Sequence, residues 1–278
     1  MMGALPASLA EAVAAADLVQ LRRQRNPEQA ISRVEAEALL TLDRRQRNCA
    51  TSWRDFIADA IADHLASEEP AAIITPEKAD WLIAALAPAG EIETVTAIET
   101  LLRAMEAARE VPSSLAVFAI GQLQAALIKG EGPAIGPRAH FSRLVDGEDT
   151  ALLYRILIAA GGADGIAVSR EEAEALFDLH DATARSANDP AFDGLFYRAI
   201  AHHALHASGE AVARRQLALS PGGALTTAAP SAEQAAWLSE RIMRDGRPTM
   251  AEFELLRFLG AEAPHPNLSI RRLLDSAA

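Results

Sequence analysis

The stretch Ala199–Glu210, AIAHHALHASGE, holds the residues of this chain best suited to chemistry. His202 and His206 stand four apart, one turn of helix, a spacing at which two imidazoles can bind one metal ion such as zinc. Asp178, Asp181 or Glu210 could add an oxygen ligand, and His180 lies beside Asp181. No His-Glu-x-x-His sequence brings a catalytic base to the pair. His203 belongs to an apolar stripe and reads as a core histidine holding a hydrogen bond.

Other reactive patterns fall short. Glu35 and Glu37, like Glu171, Glu172 and Glu174, belong to first turns of helices, where the helix dipole favours negative charge. The glycines of GEGPAIGP at 130–137 lack the Lys-Ser/Thr and the preceding strand of a phosphate loop. A serine in Gly-x-Ser-x-Gly context is absent. Cys49 is the single cysteine, so no internal disulfide forms and a reducing, cytoplasmic compartment is the expectation.

These side chains must be positioned by helices. Half the residues are apolar, Ala and Leu dominate, and β-branched runs of period two are nearly absent, so the chain reads as all-α. A net charge of −12 argues against a general nucleic-acid binder and against docking on an anionic membrane. The stretches Val111–Ile128 and Ala151–Ala160 are interrupted by polar residues, and neither makes a convincing membrane span. The N-terminal twenty residues carry Glu11 and Asp17 without a basic start and read as a helix, not a signal peptide.

The chain also repeats itself. ISRVEAEALLTL at 31–42 aligns without a gap to VSREEAEALFDL at 168–179. Each copy opens with Ser-x-x-Glu, the signature of a reciprocal helix cap. A second helix follows, with Trp53, Phe56, Ile57, Ala60, Ile61, His64 and Leu65 on one stripe; its counterpart carries Phe192, Leu195, Phe196, Ala199, Ile200, His203 and Ala204. ITPEKADWLIAAL at 74–86 resembles PSAEQAAWLSERI at 230–242, matching Trp81 to Trp237, and a Gly turn at Gly90 or Gly246 leads into another helix. Thr75-Pro76 forms a helix start and Ser231/Gln234 a capping box. The expected organisation is an N-terminal helix at 1–25, a first lobe at 26–129, a Gly/Pro-containing connector at 130–148 and a related second lobe at 149–278. Within the second lobe, 207–230 is longer than its counterpart and contains Ser220-Pro-Gly-Gly, the composition of a mobile surface insertion.

The recurring helix, Gly turn, Ser/Thr and Glu at 163–176, 243–256 and 88–102 resembles EF-hand-like helix–loop–helix units. The arrangement as a whole is similar to the tellurite-resistance TerB-like helical domains of bacterial proteins. The resemblance implies a tandem duplication of EF-hand-like helix pairs. A calcium loop needs oxygen ligands at positions one, three, five and twelve around a Gly at six. With Gly246 at six, Arg241 and Met243 take positions one and three; with Gly165 at six, Ala160 and Gly162 do; with Gly90 at six, Ala85 and Ala87 do. The loops are therefore not intact calcium sites, and the Gly and Glu residues are read as turn and cap.

The functional expectation is a non-enzymatic, intracellular protein-interaction or regulatory protein that accepts a partner helix in a groove. Phe118, Phe141 and Tyr154 are the candidates for apolar side chains left on an outer face. The alternative is a metal-binding stress or sensor protein using His202/His206 or noncanonical acidic loops.

Overall fold

The computed structural model describes residues 19–20, 30–46, 50–136, 138, 143–163, 165, 167–223, 225, 229–261 and 268–277. The expected helix at 1–25 lies almost wholly outside them, as does Phe141. Among the described residues the protein is all-helical, with a single isolated bridge between Ile73 and Glu110. The helices are α1 (Arg33–Gln46), α2 (Thr51–Ser67), α3 (Pro76–Leu86), α4 (Val95–Ala107) and α5 (Ser113–Lys129). They continue as α6 (Gly147–Ala160), α7 (Arg170–Thr183), α8 (Pro190–Ala207), α9 (Arg215–Leu219), α10 (Ala232–Ile242), α11 (Met250–Ala261) and α12 (Leu268–Ala277).

Helix starts follow the local sequence closely. Ser32 N–H donates to Glu35 Oε2 at 2.7 Å, and Ser169 N–H donates to Glu172 Oε2 at 2.7 Å. The serine hydroxyls accept in return from the backbone of Glu35 and Glu172. Thr75 caps α3 ahead of Pro76, and Thr94 caps α4. The box expected at Ser231/Gln234 forms by half: Ser231 accepts from Gln234 N–H at 3.3 Å, but Gln234 Oε1 has no hydrogen bond. Gly90, Gly165 and Gly246 all have positive φ, as a left-handed turn residue requires.

The chain divides into two compact units, Met1–Arg138 and Ala139–Ala278, the division falling inside the connector segment. In the first unit α2 lies along α4, and α2 buries Ile57, Ala60, Ile61, His64 and Leu65. Trp53 and Phe56, assigned to the same stripe, are half-buried. The short loop after α2 is fastened by Lys78, itself buried, whose Nζ donates to the carbonyls of Leu65, Glu68, Pro70 and Ile73 at 2.6–3.2 Å. In the second unit α8 is the hub, packing on α6, α7, α9, α10 and α11. All seven residues of its expected stripe are buried.

The longer segment after α8, expected as a mobile insertion, is anchored at 215–219, while its residues 224 and 226–228 lie outside the described residues. Residues 215–219 form a helical turn, and Arg215, Ala218 and Leu219 are buried. Arg215 enters a closed site and meets both oxygens of Glu172, Nη1 to Oε1 at 2.7 Å and Nη2 to Oε2 at 2.9 Å. Nη1 also donates to Leu157 O at 2.8 Å and Nη2 to Ala167 O at 2.6 Å. Both partners are only 2% exposed. Gly161 makes room for the side chain, since a Cβ there would sit 3.1 Å from Arg215 Cδ. A fork-to-fork pair with its remaining donors on carbonyls offsets desolvation that an incomplete pair would not. Removing one partner strands the other charge, so Arg215→Ala should cost the second unit about 3–5 kcal/mol in urea unfolding.

Candidate functional site

Beside this anchor the second unit carries an apolar groove of about 540 Å³. Ala151 and Tyr154 of α6 form one side, Ala191, Gly194 and Leu195 of α8 the other, and Leu219 and Pro221 close an end. Small residues on both helices keep the groove open. At Gly194 a Cβ would meet nothing within 4 Å. Arg198 stands on the rim, its Nη1 donating to Gly223 O at 2.7 Å. Of the apolar candidates from sequence, Tyr154 lines this groove and Phe118 is half-buried in the first unit.

The histidines divide by environment. His202 is fully buried and places both ring nitrogens on backbone groups: Nδ1 lies 3.4 Å from Val168 N and Nε2 2.9 Å from Ala213 O. His206 is exposed on the same helix. This arrangement does not bring His202 and His206 together as a pair of free ligands. Helical spacing gave the correct face relation but could not show that one member of the pair is consumed by the chain on either side of it.

A different polar cluster assembles where α7 meets the start of α11. His180, Asp181 and Glu252 each place one ligand-type atom within 4.8 Å of the others. The His180 ring stacks on Phe196 at 4.3 Å, and its Nε2 lies 3.4 Å from Thr249 Oγ1. Its Nδ1 has no hydrogen bond and lies 3.8 Å from Asp181 Oδ1. Thr249 N–H and Oγ–H donate to Glu252 Oε2 at 2.8 and 2.9 Å. Burial pushes the Glu252 carboxyl up, opposed by its bonds to Thr249. Arg241 reaches Asp181 Oδ2 at 3.2 Å and pairs with Glu174 and Asp178 as well. Sequence reasoning names Asp181 as a candidate oxygen ligand for the His202/His206 pair and His180 as its neighbour, while Glu252 belongs to the 243–256 turn-and-cap segment.

The aligned positions of the two units make parallel contacts. Trp81 Nε1 donates to Glu37 at 3.0 Å and Trp237 Nε1 to Glu174 at 2.6 Å. The guanidinium of Arg33 lies over Trp81 and that of Arg170 over Trp237. His64 meets Trp81 edge-on and His203 meets Trp237 likewise, at 5.6 and 5.2 Å. His203 Nδ1 bonds Val168 O at 2.9 Å, while His64 bonds the backbone of Ile31. Both histidines are buried, as a core role requires. Comparison with known protein families, with curated proteins and with solved structures finds no match.

Burial holds His64, His202 and His203 below the ordinary histidine range. The unfolded chain therefore takes up protons first as pH falls below about 6.5, and these three groups withdraw stability there. Asp193 and Glu252, both raised by burial, act in the opposite sense at lower pH, because the folded state protonates first. Urea unfolding from about pH 7.5 to about pH 5 should show a shallower loss of stability in the double variant His202→Gln/His203→Gln than in the native sequence.

Proposed function

We propose that the protein is a non-enzymatic interaction protein built from a duplicated helical unit, and that its second unit binds an amphipathic helix of another protein in the α6/α8 groove. The observation that carries this reading is the groove itself, apolar within and walled by two helices. A helix placed between α6 and α8 would bury its apolar i, i+3/i+4 and i+7 residues against Ala151, Tyr154 and Leu195. The alanines and Gly194 allow close approach of its backbone. Arg198 at the rim, in a chain of net charge −12, supplies a local cation for an acidic residue at one end of that helix.

The parallel contacts of Trp81 and Trp237 support the duplication; the EF-hand-like reading rests on the loop patterns and the TerB-like reading on the arrangement of helices as a whole. In the first unit Glu35, the counterpart of Glu172, lies at an exposed capping box. The segment carrying Arg215 is the larger departure of the second unit from the first, and it supplies one end of the groove. Binding is thus assigned to the unit that has been elaborated.

Gly194→Trp tests the proposal because it fills the groove from an open position. Helical peptides selected from a displayed library against the native protein should share an apolar stripe and a terminal acidic residue. They should lose at least about tenfold in affinity for Gly194→Trp, a difference of about 1.4 kcal/mol. Arg198→Ala should weaken them less. The folded stability of Gly194→Trp should stay within about 1 kcal/mol of the native value, because removing a helix-interior glycine offsets added exposure. Selected peptides that bind Gly194→Trp as well as the native protein would overturn the proposal.

A further inference from the structure

We propose that His180, Asp181 and Glu252 form a binding site for a divalent transition-metal ion, with zinc as the best-matched ion. Imidazole nitrogen and carboxylate oxygen are both zinc ligands, and two carboxylates balance the charge of a divalent cation. The site is built rather than incidental. His180 is 2% exposed and Glu252 3%, and the imidazole is held flat against Phe196. Its Nδ1 is a buried nitrogen without a hydrogen bond, 3.8 Å from Asp181 Oδ1. A buried polar atom left unpaired is costly, and a bound ion would remove that cost.

Each ligand residue also has a supporting contact that leaves a donor atom over. Thr249 holds Glu252 by Oε2, leaving Oε1. Arg241 holds Asp181 by Oδ2, leaving Oδ1. Thr249 Oγ1 faces His180 Nε2, so the imidazole can be oriented through one nitrogen while the other binds. Tetrahedral zinc with bonds of about 2.1 Å sets its ligand atoms about 3.4 Å apart. The present 3.8 Å between His180 and Asp181 needs only a small inward shift. A fourth position would be left to water.

The first unit shows what the same place does when it serves the fold alone. The ungapped alignment continued by one residue sets Asp43 against His180. Asp43 accepts from the capping hydroxyl of Thr94 at 2.5 Å, which closes that node with one carboxylate. Capping α11 already occupies Thr249 and Glu252 in the second unit and gives no reason for an imidazole with a nitrogen to spare.

The test is calorimetric titration of the metal-stripped full chain with Zn²⁺, followed by Co²⁺ titration read by visible absorption. The expected result is saturation at one equivalent, with a cobalt spectrum of four- or five-coordinate character. Glu252→Gln should weaken binding at least about tenfold while keeping an oxygen for Thr249, and His180→Gln should do the same. His206→Ala should leave it unchanged. Circular dichroism identifies a variant that has lost its fold; should His180→Gln be one, Glu252→Gln decides. The proposal is overturned by an absence of saturable binding, or by binding that survives Glu252→Gln. Loss of binding in His206→Ala would equally overturn it, moving the metal to the other histidine pair.

Discussion

Burying a cation obliges the chain around it to supply an acceptor for every donor, and each unit is organised around one such obligation. In the first unit Lys78 gathers four carbonyls from the end of α2 and the loop beyond it. The loop can then be short and still turn sharply, because its carbonyls converge on one ammonium. In the second unit Arg215 gathers Leu157 O, Ala167 O and both oxygens of Glu172, so α6, the start of α7 and the segment after α8 meet at one guanidinium. Lysine suits convergent carbonyls as a compact charge, whereas arginine's planar fork suits a carboxylate flanked by carbonyls.

The groove follows from that constraint. Arg215 fixes the start of α9, and Leu219 and Pro221 close the groove just beyond it. Arg198 in turn spends Nη1 on Ala218 O and Gly223 O, tying α8 to the same segment. The walls are rigid helices with small residues, while the end is a segment held by charge. Walls held in this way would lose little ordering entropy in receiving the partner helix proposed above.

The parts of this fold legible in sequence are those set by contacts close along the chain. The serine–glutamate caps, the Gly turns and the stripe of α8 each depend on residues three or four apart, and the structure keeps them. The exceptions mark where distant contacts decide. Arg214 and Arg215 are adjacent and chemically identical, yet one is exposed and the other is 2% exposed, a difference created by Glu172 some forty residues earlier. Polar, Gly- and Pro-containing composition reads as a loose loop because no local pattern announces a buried ion pair. His202 and His206 looked equivalent for the same reason: helical spacing places both on one face but is silent about the Val168 and Ala213 backbones that enclose one of them.

The cluster at His180 is likewise made by contacts distant along the chain. Its members come from the end of α7 and the first turn of α11, both of which pack on α8, and Phe177 of α7 meets Phe196 of α8 and Trp237 of α10 edge to face. Arg241 then crosses from α10 to Glu174, Asp178 and Asp181, so one oxygen of Asp181 is paired with a guanidinium. The corresponding crossing in the first unit runs in reverse, from Arg44 on α1 to the carbonyl of Ala85 on α3. That exchange places a carboxylate at Asp181 where the first unit has a guanidinium. The aligned positions thus hold charges of opposite sign, Arg44 in one unit and Asp181 in the other, while Ser32 and Ser169 cap the helices that carry them in the same way.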